Sequence, residues 1–99
     1  MARLGDLVEK VRSKNAGPFV LTIDIFCAEP EVYLTVVKVL KTEAVAKLFG
    51  TDTQLVKRFD MPELSVVKFS FPRPVVQGAR ADRDMHGASY GALLADLRI

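Results

Sequence analysis

Positions 19–27 carry the most regular alternation in the chain. Phe19, Leu21, Ile23 and Ile25 fall on one face, and Val20, Thr22, Asp24 and Phe26 on the other. One side is wholly apolar and the other mixed. This is the pattern of a strand with one face on helices and the other partly open. Leu55–Phe59 and Ser65–Phe71 read as two further strands, joined by a hairpin connection at Asp60-Met61-Pro62-Glu63. Pro72-Arg73-Pro74 ends the second, because proline has no N–H for a ladder.

Helical periods lie between the strands. Glu29-Pro30-Glu31 opens a helix with proline and acids in its first turn, and Val32, Val36, Val39 and Leu40 form its apolar stripe. Lys41-Thr42-Glu43 interrupts, with Thr42 placed to cap a second helix over 43–49 that stops at Gly50. At the N-terminus, Leu4, Leu7, Val8 and Val11 fit a short helix, while an alternation across residues 6–13 fits a strand that pairs with the next. A helical turn near Leu4 followed by extended chain reconciles the two. Residues 75–87 read as a loop, residues 88–94 as a short helix weakened by Gly91, and Leu94–Ile99 as a possible last strand.

This order predicts an α+β fold, a ferredoxin-like sandwich with a mostly antiparallel sheet and helices on one face. The 99 residues form a single domain, 1–99, with no internal repeat. A chain of this length buries roughly two-thirds of its unfolded surface, enough for one core and too little for a deep pocket of its own. A site is therefore expected at a surface groove or at a contact with another chain.

Composition narrows the function. The chain is 49% hydrophobic and 26% charged, which is globular, and its net charge of +2 is near balance. Such a balance gives no nucleic-acid footprint, so no nucleic-acid partner is expected. No apolar run approaches the roughly 18 residues of a membrane span, and no secretory signal follows Met1, so the expected location is the cytoplasm, without a membrane partner. The single Cys27 excludes an intrachain disulfide and an iron–sulfur cluster, which needs four ligands. It ends an apolar strand and reads as core. His86 is the one histidine and lies near Asp82 and Asp84, too few ligands for zinc. No metal and no cofactor are expected, and no nucleotide loop, nucleophile elbow or zincin motif is present.

The candidate chemistry lies in Arg12-Ser13-Lys14-Asn15-Ala16-Gly17-Pro18, read as a polar, cationic loop opening onto the strand at 19–27. Arg12 and Lys14 would flank backbone N–H groups freed by the turn at Gly17, with Ser13 and Asn15 adding hydrogen bonds. Such a concavity attracts carboxylate or phosphate. Arg73, stiffened between two prolines, joins the same anion site if the strand ends meet. Asp24, inside the apolar strand, meets Arg12 or Lys14 across the hairpin or marks a functional face.

Leu4-Gly5-Asp6-Leu7, Arg12–Phe19, Leu21–Ile25, Pro72-Arg73-Pro74 and Asp84-Met85-His86-Gly87-Ala88 together resemble a small bacterial family, domain of unknown function 4387. That family is similar to the ferredoxin-fold domain at the C-terminus of AtuA-like proteins, named for acyclic terpene utilisation. There the matching segment reads Arg-Ser-Gly-Asp-Lys-Gly between two strands. The resemblance implies a hairpin around Lys14–Gly17 and a free-standing small partner of a larger AtuA-like protein. It also shows a departure: the family's late His is absent here. Two functions are expected from these readings. One is an accessory or half-site subunit of an AtuA-like protein in small-acid or acyl-CoA catabolism, its cationic hairpin loop holding a carboxylate or phosphate. The other is a self-sufficient ligand-binding homo-oligomer or enzyme, associating through the exposed face of 19–27 at Val20 and Phe26.

Overall fold

The structure, a computed structural model, describes residues 2–17, 19–73 and 88–99. The predicted loop at 75–87, and with it Asp82, Asp84 and His86, lies outside the described residues. A short helix α1 (Leu4–Leu7) leads into strand β1 (Lys10–Asn15), which turns into β2 (Val20–Phe26). Helices α2 (Pro30–Val39) and α3 (Thr42–Leu48) follow, then β3 (Lys57–Met61), β4 (Val66–Pro72) and α4 (Ala88–Ala95). The four strands form one antiparallel sheet in the order β1-β2-β4-β3. Without β1, the order β2, helices, β3, β4, helix is that of a split β-α-β unit. Here β1 fills the edge beside β2 from the N-terminal side.

That edge explains why the last strand expected at 94–99 does not join the sheet. Helix α4 runs on to Ala95, and the chain beyond it pairs with its own beginning. The Leu4 amide donates to the Leu97 carbonyl and the Ile99 amide to the Ala2 carbonyl, with a single bridge between Arg3 and Arg98.

Apolar alternation decides which face is covered. Leu21, Ile23 and Ile25 of β2 and Val67, Phe69 and Phe71 of β4 are buried beneath the helices with Leu4, Tyr33, Val36, Leu40, Val45 and Leu94. Phe49, just past α3, stacks on Phe71 at 5.1 Å and tilts towards Tyr90 of α4 at 5.7 Å. Helix α2 begins with Pro30 at its first position, as its sequence requires. Its stripe is Tyr33, Val36 and Leu40, and Val39 is exposed instead. Helix α3 takes Lys41 as its N-cap, without a side-chain hydrogen bond, so Thr42 is the first helical residue and not the cap. The β3–β4 connection is a 3₁₀ turn, Pro62–Leu64, closed by Ser65 in the left-handed region at φ 53°. Asp60 and Met61, expected in that connection, belong to β3.

Candidate functional site: the cationic open face of the sheet

The segment read as a cationic loop is a strand for most of its length. Arg12, Ser13, Lys14 and Asn15 all lie in β1, opposite Asp24, Ile23, Thr22 and Leu21 of β2. The turn begins after Asn15, where the Ala16 amide donates to the Val20 carbonyl at 2.8 Å and Gly17 adopts φ +96°, a conformation that suits glycine. Phe19, expected on the apolar face of β2, belongs to this turn and is exposed.

Strand geometry then divides the candidate residues, because successive side chains point to opposite faces. Arg12, Lys14 and Asp24 share the open face, away from the helices. Ser13, Asn15 and Arg73 belong with the helical side. Ser13 is buried, and its hydroxyl accepts a 2.7 Å hydrogen bond from the Gly91 amide in the first turn of α4. This hydrogen bond ties β1 to α4 across 78 positions of the chain. Arg73 is 6% exposed. Its amide donates to the Phe19 carbonyl at 2.8 Å, and its guanidinium lies 5.8 Å from the Tyr90 ring centre. It therefore does not join Arg12 and Lys14.

The pairing register assembles the open face from rows of side chains. Arg12, Asp24, Lys68 and Phe59 form the central row across all four strands. Lys14, Thr22, Ser70 and Lys57 form the row on one side, and Lys10, Phe26, Val66 and Met61 the row on the other. The Lys10 ammonium lies 4.9 Å from the centre of the Phe26 ring, and the Thr22 hydroxyl donates to the Lys14 carbonyl at 3.4 Å. Among the described residues the face thus carries Lys10, Arg12, Lys14, Lys57 and Lys68 against the single carboxylate of Asp24. Among the described residues the ion pairs are Arg3 with Asp6 and Asp96, and Arg58 with Asp60. None involves a cation of this face, so its charge is not neutralised within the described fold.

Two hollows open on the β3–β4 side. One of about 250 Å³ is bordered by Val20, Gln54, Leu55, Lys57, Ser70 and Pro72. The other, of about 580 Å³, is bordered by Arg58, Phe59, Asp60, Met61 and Lys68. Ammonium groups beside apolar side chains suit the binding of a carboxylate or phosphate attached to an apolar body. Sequence reasoning missed Lys10, Lys57 and Lys68. Only their register against Arg12, Lys14 and Asp24 reveals the common face.

Cys27 is 2% exposed and burial pushes its thiol above the ordinary range, which keeps it protonated and unreactive. Among the described residues no three of His, Cys, Asp and Glu gather as a metal site, and no helix is long and apolar enough to cross a membrane.

The described residues thus form an α+β sandwich of one antiparallel sheet, covered by them on one face and open, cationic and partly apolar on the other. The chain belongs to the family described as Domain of unknown function (DUF4387), whose model matches residues 4–98. No curated protein and no solved structure matches the chain.

Proposed function

We propose that this chain is a small accessory subunit whose open sheet face receives an anionic surface or ligand group held by a larger AtuA-like protein of small-acid or acyl-CoA catabolism. One observation carries the reading: Lys10, Arg12 and Lys14 emerge on the same face as Lys57 and Lys68, with Asp24 as the only acid there among the described residues. A cationic face of this kind steers an anionic partner and fixes its register. The resemblance of Arg12–Phe19 to a segment of AtuA-like proteins supports the choice of partner. The cations stand on strand β1 and not on the hairpin tip, so the binding surface is the sheet itself.

Co-purification with an AtuA-like protein from the same organism tests the proposal. The complex is expected to weaken as salt is raised and to be lost in Arg12→Glu/Lys14→Glu. A partner fully active alone that never retains this chain overturns the reading, as does a complex indifferent to both substitutions. The two hollows favour a second reading, a self-sufficient ligand-binding homo-oligomer or enzyme. In that case carboxylates or CoA esters raise the melting temperature of the isolated chain by mass action.

A further inference from the structure

The two edges of the sheet differ in a way that selects a partner for one of them. Strand β3 pairs with β4 alone, so among the described residues its outer edge presents unpaired N–H and C=O groups at alternate positions. We propose that this edge pairs antiparallel with the same edge of a second copy, with Phe59 at the two-fold axis, joining two four-stranded sheets into one of eight.

The sequence of β3, Lys57-Arg58-Phe59-Asp60-Met61, is self-complementary about its centre. In the paired arrangement Phe59 faces the second copy's Phe59. Arg58 faces the second copy's Asp60, Asp60 faces its Arg58, and Lys57 faces its Met61. Aromatic pairs and opposite charges directly across a ladder stabilise a sheet, and like charges there oppose it. Within one chain Arg58 Nε already donates to Asp60 Oδ1 at 2.9 Å. Pairing places a second such couple beside the first in alternating sign. An interface in which each patch meets itself is the closed, isologous kind.

Exposure agrees with this edge. Phe59 is 48% exposed, and Leu55 and Leu64, in the 3₁₀ turns at either end of β3, are exposed as well. Antiparallel pairing brings Leu55 of one copy to the end where the other carries Leu64, and gives the 580 Å³ hollow beside Phe59 an apolar occupant.

The β1 edge and the open sheet face oppose self-association. Strand β1 carries Lys10, Arg12 and Lys14 and no acid, so pairing this edge with itself sets cations against cations. Stacking two open faces brings together five cations from each copy against one acid. A dimer through β3 leaves the cationic faces exposed, and it does not depend on the accessory role proposed above.

Sedimentation equilibrium of the isolated chain tests the interface, free of any AtuA-like protein. The expected mass is twice 10.9 kDa. Phe59→Asp, which sets carboxylates against each other at the axis, is expected to reduce it to one chain, whereas Leu34→Asp on the exposed side of α2 leaves it unchanged. Phe59→Cys adds a positional readout. Directly opposed residues of an antiparallel pair have Cα atoms about 4.5–5.5 Å apart, within the reach of a disulfide. Mild oxidation is therefore expected to link two Phe59→Cys chains through that position, and not two wild-type chains, whose only thiol is buried. A monomeric wild-type chain whose Phe59→Cys form stays unlinked overturns the proposal, and so does a dimer that survives Phe59→Asp.

Discussion

Gly91 and Ser13 illustrate how one atom sets the sign of a substitution. A Cβ built on Gly91 would lie 3.0 Å from both the amide nitrogen and the hydroxyl oxygen of Ser13. The nitrogen belongs to a paired strand and the oxygen is held by its hydrogen bond, so neither yields readily. In an exposed helix, Gly→Ala gains about 1 kcal/mol. Here Gly91→Ala is expected to lose about 1–2 kcal/mol, in the range of overpacked cores, and Ser13→Ala about 1 kcal/mol, as for a lost buried hydrogen bond. Urea denaturation checks both. A Gly91→Ala protein more stable than the parent would show that β1 and α4 do not approach so closely. From the sequence Gly91 is only a weak point in a helix. Its role depends on a strand 78 residues away in the chain.

Cys27 supplies a pH dependence whose sign follows from its burial. Its thiol is raised above the ordinary value by desolvation, and the Tyr33 hydroxyl is raised as well, chiefly by the same cause. Above the ordinary thiol range of about 8.5, the unfolded chain releases a proton that the folded chain keeps. Stability contributed by the neutral thiol is therefore complete below that pH and declines as pH rises through the folded value. The urea midpoint is expected to fall between pH 8 and pH 10 and to fall less steeply in Cys27→Ala. Ellman's reagent is expected to label the native thiol slowly at pH 8 and the urea-unfolded thiol at once.

At the scale of elements, Arg58 ties β3 to the end of α2. Its Nη1 donates to the Leu40 carbonyl at 2.6 Å and its Nη2 to the Val37 carbonyl at 3.1 Å. The last carbonyls of a helix lack internal partners and carry its negative dipole end, which favours a cation. Arg58→Ala is expected to cost about 2 kcal/mol, because charge-assisted hydrogen bonds are lost where the carbonyls are part-buried. Arg58→Lys recovers only part of this, since an ammonium lacks the fork that spans both carbonyls. Differential scanning calorimetry separates the three proteins. The start of α2 at Pro30 and the inward face of β2 are legible in the sequence because local rules set them. The Arg58 cap is not, since Val37 and Leu40 lie 21 and 18 residues away.

On the scale of the whole molecule, the division between covered and open faces separates stability from recognition. Arg12 and Lys14 are exposed and pair with no acid among the described residues. Arg12→Gln/Lys14→Gln is therefore expected to change stability by no more than about 0.5 kcal/mol, which thermal melting checks, while still weakening a charged partner. A large loss of stability would assign the two cations to the fold itself.

The sequence by itself determined what local chemistry determines: an apolar alternation that must become a strand, a proline that opens a helix, another that ends a ladder, and an α+β order of elements. Tertiary structure decided which polar residues keep company. Arg12, Ser13, Lys14 and Asn15 compose a loop as readily as a strand. Their pairing with Asp24, Ile23, Thr22 and Leu21 sends two to the open face and two beneath the helices. Strand register joins residues far apart in the chain, and a shift of one position exchanges the faces. For that reason the cationic face belongs to the assembled sheet and to no single segment of it.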